Sequence, residues 1–578
     1  MSHVRHAVIT SLVAIVLATV LAAPTASVVA EEVTPEFTLE VFHFNDGESD
    51  LLGETEGDVG SGSIARFATV LADLRTAAVA ATHGHVTVSA GDNYLAGPEL
   101  AAGVANGTLY DAIALDALDV DAYTIGNHEF DFGPQFLADF IEDFETVEDT
   151  DVFVSANLDF SGEPALQALV TAGRIAKSRV VSVDGEDIGI VGATTPELFE
   201  VSSPGAVVVA DVATAVQAEV DVLTAAGVDK ILVSSHLQDI TNEQALVPLL
   251  HDVDAVIGGG GGEDIRNDYP LVATDMTGAT VPIVTVPGDY QDVGRLELDF
   301  DADGILVGHR GELVAVTGAI VPDPALVAAV EVPVQAYIDN LDQNVLATTE
   351  VPINGVRSEV RSRETNVGNL MVDSYLFHAE DYTTANEEEP VLIAVQNGGG
   401  IRNDSVINDG ELTELDTFDI AAFDNYLAIM RDVTRQDLRA AIEHGLGLLP
   451  AAAGSFAQWG GLEIVYDPMG ASGSRVIDVT VVETGETLVE DGSVVDGDPV
   501  DLVSINFLLQ GNDGFDMFEA YSFTNIGVTY QQSLATYVAD LGVITAEYSD
   551  PVALDARSRI VPVIDGDDEM LAPLTPAP

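Results

Sequence analysis

The sequence contains no cysteine among its 578 residues. Disulfide bonds and thiolate metal sites are therefore excluded, and any bound metal must be held by oxygen and imidazole ligands. Such ligands favour hard or borderline divalent ions, so the absence of one residue type already narrows the metal chemistry of the chain.

Positive charge is scarce, because 20 lysine and arginine residues face 96 aspartate and glutamate residues. The formal net charge is -76, and lysine occurs only at Lys177 and Lys230. A polyanion of this kind repels nucleic acid polymers and anionic membrane surfaces, which argues against both as partners. The charge indicates a solvated acidic surface suited to salty surroundings, with divalent-ion binding by dispersed acids as the alternative.

Long apolar runs are confined to the N-terminus. The run Ala7–Ala23 follows a basic start that includes Arg5, and small residues at Val28–Ala30 offer a cleavage site, so an export signal is predicted. The alternative is a retained membrane anchor. No later stretch has eighteen uninterrupted apolar residues, so the mature chain is expected to be secreted without a stable membrane anchor.

From Phe37 onward, apolar runs rich in valine and isoleucine alternate with segments of helical periodicity, which is typical of a layered α/β domain. Ligand sites in such folds lie at the carboxyl ends of strands, and here five predicted strands run into Asp, Asn, His or glycine-rich loops. The five predicted strands are Phe37–Phe44, His85–Ala90, Ala122–Ile125, Ile231–Ser235 and Asp254–Ile257. Helices are predicted between them at Ile64–Val79, Phe136–Phe144 and Val212–Ala226.

These strand ends supply a ligand set for two divalent ions bridged by one carboxylate. Such a pair activates water and neutralises charge on phosphate during in-line displacement. The residues that fit are Asp46, Asp92, Asn127 and His236, with Asp92 as the bridge. The alternatives are helix caps or turns for the aspartates and a core position for His236.

A neighbouring pair has the composition of an acid–base dyad. His128 is predicted to face the substrate, with Asp131 orienting its ring and raising its basicity. Farther along the chain, a helix predicted at Ala325–Leu341 bridges to a second unit. There, Arg361 and Arg402 lie in or beside glycine-containing loops suited to an anion. The alternative is that Arg361 and Arg363 pair with the abundant carboxylates.

Motifs in both halves resemble those of the exported 5'-nucleotidases, a family that includes the periplasmic UDP-sugar hydrolase. They occur in the family order as HFND (43–46), GDN (91–93), GNHEFD (126–131), RSRETNVGNL (361–370), NGGGIR (397–402), FDN (423–425) and NFLLQGNDGF (506–515). The resemblance implies an α/β (α+β) two-domain fold. Its N-terminal part would be a four-layer αββα metallophosphoesterase sandwich, and its C-terminal part an α/β nucleotide-binding domain.

The implied organisation divides the chain into five segments. They are the signal peptide at 1–30, the metallophosphoesterase domain at 33–320, a linker helix at 321–346, the C-terminal substrate-binding domain at 347–563 and a disordered tail at 564–578. The tail is expected to be disordered because it is acidic and proline-rich without apolar periodicity.

The resemblance also implies roles for individual residues. Metal ligands at Asp46, Asp92, Asn127 and His236 would lie beside the catalytic pair His128 and Asp131, with Glu129 bracing the loop. The substrate-binding residues would be Arg361, Asn397 and Arg402 as polar contacts, Phe423 and Phe507 as the aromatic pair around the base, Asn425 within its motif, and Asp513 at the ribose.

The chain departs from the family pattern at two metal-site motifs. Glu48 stands where the family usually has histidine, and Gly258–Asp264 contains no histidine. In the second motif, Glu263 or Asp264 is available as a replacement ligand. An oxygen-rich site of this kind favours Mn, Mg or Ca over Zn.

The expected activity is that of a secreted, metal-dependent phosphohydrolase with a small-molecule nucleotide as substrate. Attack of a metal-bound hydroxide on phosphorus would release phosphate from nucleoside 5'-monophosphates or related nucleotides. The alternatives are a 2',3'-cyclic nucleotide phosphodiesterase or UDP-sugar hydrolase, and a nucleotide-binding protein with a degenerate metal site. The sequence leaves the base, the metal and the oligomeric state open.

Overall fold

A computed structural model describes residues 35–53, 62–144, 152–261, 265–423, 425–550 and 559–563. The predicted export signal and C-terminal tail lie outside the described residues, as do Glu263 and Asp264.

Two sheets form the centre of the N-terminal half. The first has seven strands in the order Leu306–Ala315, Asp292–Phe300, Phe37–Phe44, Gly84–Ser89, Ala122–Thr124, Phe153–Val154 and Ile175–Ala176. The second has six, in the order Leu271–Thr274, Thr280–Val284, Ala255–Gly259, Lys230–His236, Glu186–Thr194 and Ser178–Val183. Neighbouring strands that carry the predicted ligands run parallel within each sheet, so their carboxyl ends share one edge.

Helices cover the outer faces of both sheets. Those on the first sheet are Ile64–Ala81, Pro98–Asn106, Tyr110–Ala117, Gly133–Glu142 and Pro164–Ala172, and those on the second are Val212–Ala226 and Ile240–Leu246. Val41 packs between the sheets, whereas the next residue, Phe42, packs under the helices, as the two-residue period of a strand requires. The predicted four-layer αββα sandwich is therefore confirmed.

One long helical segment connects the two halves. It begins at Pro324, where Asp323 caps the backbone amides of Ala325 and Leu326, and it ends at Gln343. A π-helical turn at Val327–Glu331 interrupts it, so the single regular helix that the periodicity predicts is in fact three pieces.

The C-terminal half has a hydrophobic core of its own, which extends from Ala347 to Ile560. One five-stranded sheet has the order Ala457–Gly460, Ile393–Asn397, Val500–Ile505, Tyr426–Val433 and Phe523–Thr529. A second has the order Ser493–Val494, Glu486–Glu490, Val476–Val481, Leu462–Tyr466 and Ile560–Pro562. The main helices are Arg357–Val360, Asn366–Asn386, Glu414–Ile420, Arg435–Gly445, Asn506–Leu509 and Tyr530–Leu541. The α/β two-part fold is confirmed.

Among the residues that the structure describes, no helix combines the length and apolar character needed to cross a membrane.

Candidate active site

Three side chains from three strand ends meet at the edge of the sandwich. His236 Nε2 lies 2.8 Å from Asp92 Oδ2 and 3.9 Å from Asp46 Oδ1. All three residues are buried, and their ligand atoms lie within 4.8 Å of one another. This is the spacing of a metal-binding group, and it unites three of the predicted ligands.

The loops that carry the carboxylates are backbone-strained. Asp46, Glu48 and Asp92 adopt φ angles of 50°, 46° and 54°, a left-handed region that costs a side-chain-bearing residue on the order of 1 kcal/mol or more. The loops are tied together, because Asp46 N donates to Gly91 O at 2.9 Å and Glu48 N donates to Asp92 O at 3.1 Å. The tied loops place Asp46 and Glu48 each close to Asp92.

The geometry of His236 fits a bound cation. Its Nδ1 donates to the Ala90 carbonyl oxygen at 2.8 Å, which leaves Nε2 as the lone-pair nitrogen. Nε2 is buried and has no hydrogen-bond partner within the described part of the chain, although Asp92 Oδ2 lies close to it. A lone pair on Nε2 beside a carboxylate oxygen is repulsive unless a proton or a metal cation lies between them.

The pKa values of His236 and Asp92 indicate that this group of side chains is stabilised by positive charge. Burial opposes charging of His236, but Asp92 and Asp46 outweigh this and raise the pKa of His236 to about 10. Burial acts most strongly on Asp92 as well, yet the imidazoles of His236 and His128 bring its pKa below the usual value. Divalent cations supply such positive charge without protons.

A second group of potential ligands shares Asp92 with the first. It consists of Glu48, Asp92 and His128, whose ligand atoms also lie within 4.8 Å of one another. Burial raises the pKa of Glu48 to about 7, which marks a carboxylate with little solvent around it. Asp92 thus belongs to both groups of ligand atoms, and Glu48 belongs to the second.

His128 is held from two sides. Its Nδ1 lies 2.6 Å from Asp131 Oδ2, and its backbone amide donates to Asp92 Oδ1 at 2.8 Å. Although burial opposes the charged ring, Asp131 and Asp92 raise the pKa of His128 to about 10. The other oxygen of Asp131 accepts a hydrogen bond from Ser202 Oγ at 2.8 Å. Ser202 was missed from the sequence because it lies far from the motif along the chain.

Glu129 supports the loop from inside. Its carboxylate accepts hydrogen bonds from the amides of Gly126 at 2.7 Å, Asn93 at 2.8 Å and Asp92 at 3.1 Å. These bonds join the second and third ligand loops. The role of a loop brace that the sequence suggested for Glu129 matches this position.

A third acidic group lies elsewhere in the sandwich and is already neutralised. Glu40, His83 and Glu297 bring their ligand atoms within 4.8 Å of one another. Arg295 Nε lies 2.8 Å from Glu40 Oε2, and Arg310 pairs with Glu297. This group is an ion-pair network rather than a second metal centre.

The metal-side loops and the C-terminal half line one cleft of about 310 Å³, within the range of small-molecule sites. From the N-terminal half it is lined by Asn127, His128, Asp131, Val201, Ser203 and Gln238. From the C-terminal half, the seven predicted substrate-binding residues are all present, namely Arg361, Asn397, Arg402, Phe423, Asn425, Phe507 and Asp513.

The cleft residues of the C-terminal half also contact one another. Asn397 Nδ2 donates to Asp513 Oδ2 at 2.7 Å, and the Arg402 guanidinium lies 5.5 Å from the ring centre of Phe423. Burial and the nearby Arg402 lower the pKa of Arg361 to about 10. The positive charges of Arg361 and Arg402 repel each other, and an anion bound between them would relieve that repulsion.

Comparison with known proteins assigns the family. The chain is 30% identical over 419 residues to the 5'-nucleotidase of Rattus norvegicus, which covers 70% of this chain and 71% of that protein. The chain belongs to the 5'-nucleotidase family. Its residues 345–520 match the family model for the 5'-nucleotidase C-terminal domain.

One solved structure and one further sequence relative match this chain over most of its length. The crystal structure of a 5'-nucleotidase precursor from Thermus thermophilus aligns with a TM-score of 0.70 at 30% identity, covering 91% of this chain and 99% of that one. The 5'-nucleotidase of Diplobatis ommata is 27% identical over 564 residues, or 92% of each chain. Membership confirms the predicted enzyme class, a hydrolase acting on nucleotide phosphoester bonds.

Proposed function

We propose that this member of the 5'-nucleotidase family is a secreted, metal-dependent enzyme that releases phosphate from nucleoside 5'-monophosphates. The observation that carries the proposal is the single cleft, in which His128 faces the same space as Arg361 and Phe507. A phosphate next to the imidazole would leave its nucleoside within reach of the aromatic and arginine side chains.

Two divalent ions would be held by Asp46, Glu48, Asp92, Asn127 and His236. When bound, such ions supply an activated water and neutralise charge on the phosphoryl group. Asp92 belongs to both groups of ligand atoms and would serve as a ligand in each. Because most of these ligands are oxygen atoms, we expect Mn, Mg or Ca to be preferred over Zn.

His128 is placed to act on the phosphate itself. With Nδ1 bound to Asp131, Nε2 is left to donate to a phosphoryl oxygen or to the leaving oxygen. The carboxylates of Asp131 and Asp92 raise the pKa of His128, which favours the protonated ring that can donate. Ser202 fixes Asp131 and thereby the orientation of the ring.

The C-terminal residues would bind the nucleoside. Phe423 and Phe507 offer ring faces to the base, a contact that tolerates different bases. Asp513 provides a carboxylate acceptor for ribose hydroxyls, and Arg361 with Arg402 binds the anionic part of the substrate. We further propose the boundaries 33–320 and 347–563 for the two domains, with the segment 321–346 as the hinge between them.

The proposal is tested by phosphate release from purified mature protein. The metal is stripped by chelation and restored as Mn, Mg, Ca or Zn, and the substrates are AMP, UMP, a UDP-sugar and a 2',3'-cyclic nucleotide. We expect AMP or UMP to be hydrolysed fastest, and with Mn, Mg or Ca rather than Zn. Faster hydrolysis of the cyclic nucleotide would replace the proposed substrate, and no hydrolysis with any metal would refute the proposed function.

A further inference from the structure

We propose that Gln238 is a positioning residue that fixes the carboxamide of Asn127 with its oxygen toward the metal centre. Gln238 Nε2 donates a hydrogen bond to Asn127 Oδ1. The two residues are 111 positions apart in the chain and line the same cleft. This inference rests on the proposed metal site and adds a residue to it.

The position of Asn127 makes its orientation matter. It lies between Gly126 and His128, and both of these residues contact Asp92: the amide of His128 donates to Asp92 Oδ1, and a Cβ on Gly126 would collide with that oxygen. Asn127 itself is 2% exposed, so solvent does not orient its side chain. The carboxamide therefore depends on a protein partner for its orientation.

Only one end of a carboxamide binds a cation. The oxygen carries two lone pairs, whereas the NH₂ group is a donor that a cation repels. The donor of Gln238 occupies one lone pair of Asn127 Oδ1 and leaves the second lone pair for a metal ion. Without the donor, the carboxamide can turn over and present its NH₂ group instead.

Gln238 is itself held in an uncommon conformation. It lies two residues beyond His236 and has a φ of 75°, in the left-handed region. Gly260, with a φ of +96°, packs against it so closely that an added Cβ would lie 2.9 Å from Gln238 N and Cα. The amide of Gly260 donates to Asp46 Oδ2 at 3.0 Å. Gly260 therefore contacts both Asp46 and Gln238, and its close packing restricts the backbone of Gln238. Such restriction is common at functional positions.

Calorimetric titration of Mn²⁺ into metal-free protein tests the proposal. Gln238→Met keeps the length of the side chain and removes the donor. Gln238→Leu is a second variant that removes the donor. We expect both variants to bind one of the two ions about 10- to 100-fold more weakly, the usual cost of losing an orienting partner of a ligand. The control is Gln335→Leu, since Gln335 is an exposed glutamine that donates to Asp339 on a helix.

A double-mutant cycle with Asn127→Ala separates positioning from direct ligation. If Gln238 acts through Asn127, Gln238→Met weakens Mn²⁺ binding in the natural background and causes no further loss in Asn127→Ala. An equal loss in both backgrounds would overturn the proposal, because Gln238 would then bind the ion independently. Unchanged affinity in Gln238→Met and Gln238→Leu would overturn it as well. Absence of Mn²⁺ binding by the unmutated protein would instead remove the metal centre and the proposed function together.

Discussion

Phe507 lines the cleft from the C-terminal half, and its replacement tests the proposed nucleoside binding directly. Phe507→Ala removes a stacking surface worth about 1–3 kcal/mol per base. We expect the KM for AMP to rise about 5- to 150-fold, while the KM for p-nitrophenyl phosphate changes little because that substrate lacks the nucleoside. Steady-state kinetics on both substrates checks this, and equal effects on the two would argue against the assignment.

The buried carboxyl group of Asp111 is expected to lower the free energy of unfolding when it is charged. It is fully buried, and burial raises its pKa from 3.8 to about 6. A raised carboxyl pKa penalises folding only when the group is charged, so the penalty is absent below about pH 4 and complete above about pH 6.

Asp111→Asn removes that penalty. We expect the free energy of unfolding to rise by about 1–3 kcal/mol at pH 8, with little change at pH 4. Urea unfolding at both values of pH is the measurement, and Asp73→Asn, at an exposed position on the helix Ile64–Ala81, is the control. A gain of the same size at both values would show that charge is not the cause.

At the scale of elements, the sequence predicts best where pattern and caps agree. Val212–Ala226 has the predicted bounds because Asp211 caps its start, accepting from Thr214 N at 2.9 Å, and Gly227 ends it with a φ of 96°. Phe37–Phe44 also matches. The strand predicted at Ile231–Ser235 extends over Lys230–His236, because both end residues pair with the neighbouring strand, Lys230 with Ile188 and His236 with Thr194.

Other features have no local signal. Hydrophobic periodicity does not reveal the π turn at Val327–Glu331, because five residues are too few to establish a different period. Ser202 and Gln238 reach the site from 71 and 111 residues away, so only the tertiary fold shows them. The motif residues, in contrast, carry their spacing in the sequence. The structure places Asn127, His128, Asp131 and the seven C-terminal residues in one cleft, and Asp46, Glu48, Asp92 and His236 in the adjoining groups of ligand atoms.

The glycine loop after Ala255–Gly259 provides a prediction at the scale of an element. A Cβ at Gly260 would lie 2.8 Å from His236 Nε2, so Gly260→Ala should displace the loop from the ligands and weaken metal binding. Gly227 has the same φ of +96° but nothing within 4 Å of an added Cβ. We expect both variants to lose about 1 kcal/mol of stability through backbone strain.

Only Gly260→Ala should lose metal affinity. Calorimetric Mn²⁺ titration and urea unfolding of both variants separate the two effects. Equal metal affinity in Gly260→Ala and Gly227→Ala would show that the close approach of the loop does not shape the site.

At the scale of the whole molecule, the net charge of -76 dominates the long-range electrostatics. Repulsion among so many carboxylates opposes the compact state and is screened by salt. We expect the Tm to rise steadily between about 0.1 M and about 2 M KCl, over which the screening length falls to a few ångström. Thermal unfolding checks this, with sucrose at matched osmolality as the uncharged control. A flat or falling Tm in KCl would contradict the interpretation of the charge as an adaptation to salt.

The two halves of the molecule contribute different parts of one cleft, and the central claim is that His128 carries out chemistry on a phosphate presented there. The direct measurement is kcat for AMP in the Mn-loaded unmutated protein and in His128→Ala. The control is His251→Ala, at a half-buried histidine that precedes the strand Ala255–Gly259 and does not line the cleft. We predict a loss of about 10²- to 10⁴-fold for His128→Ala and none for His251→Ala. Hydrolysis of AMP at the same rate in His128→Ala and the unmutated protein would contradict the account.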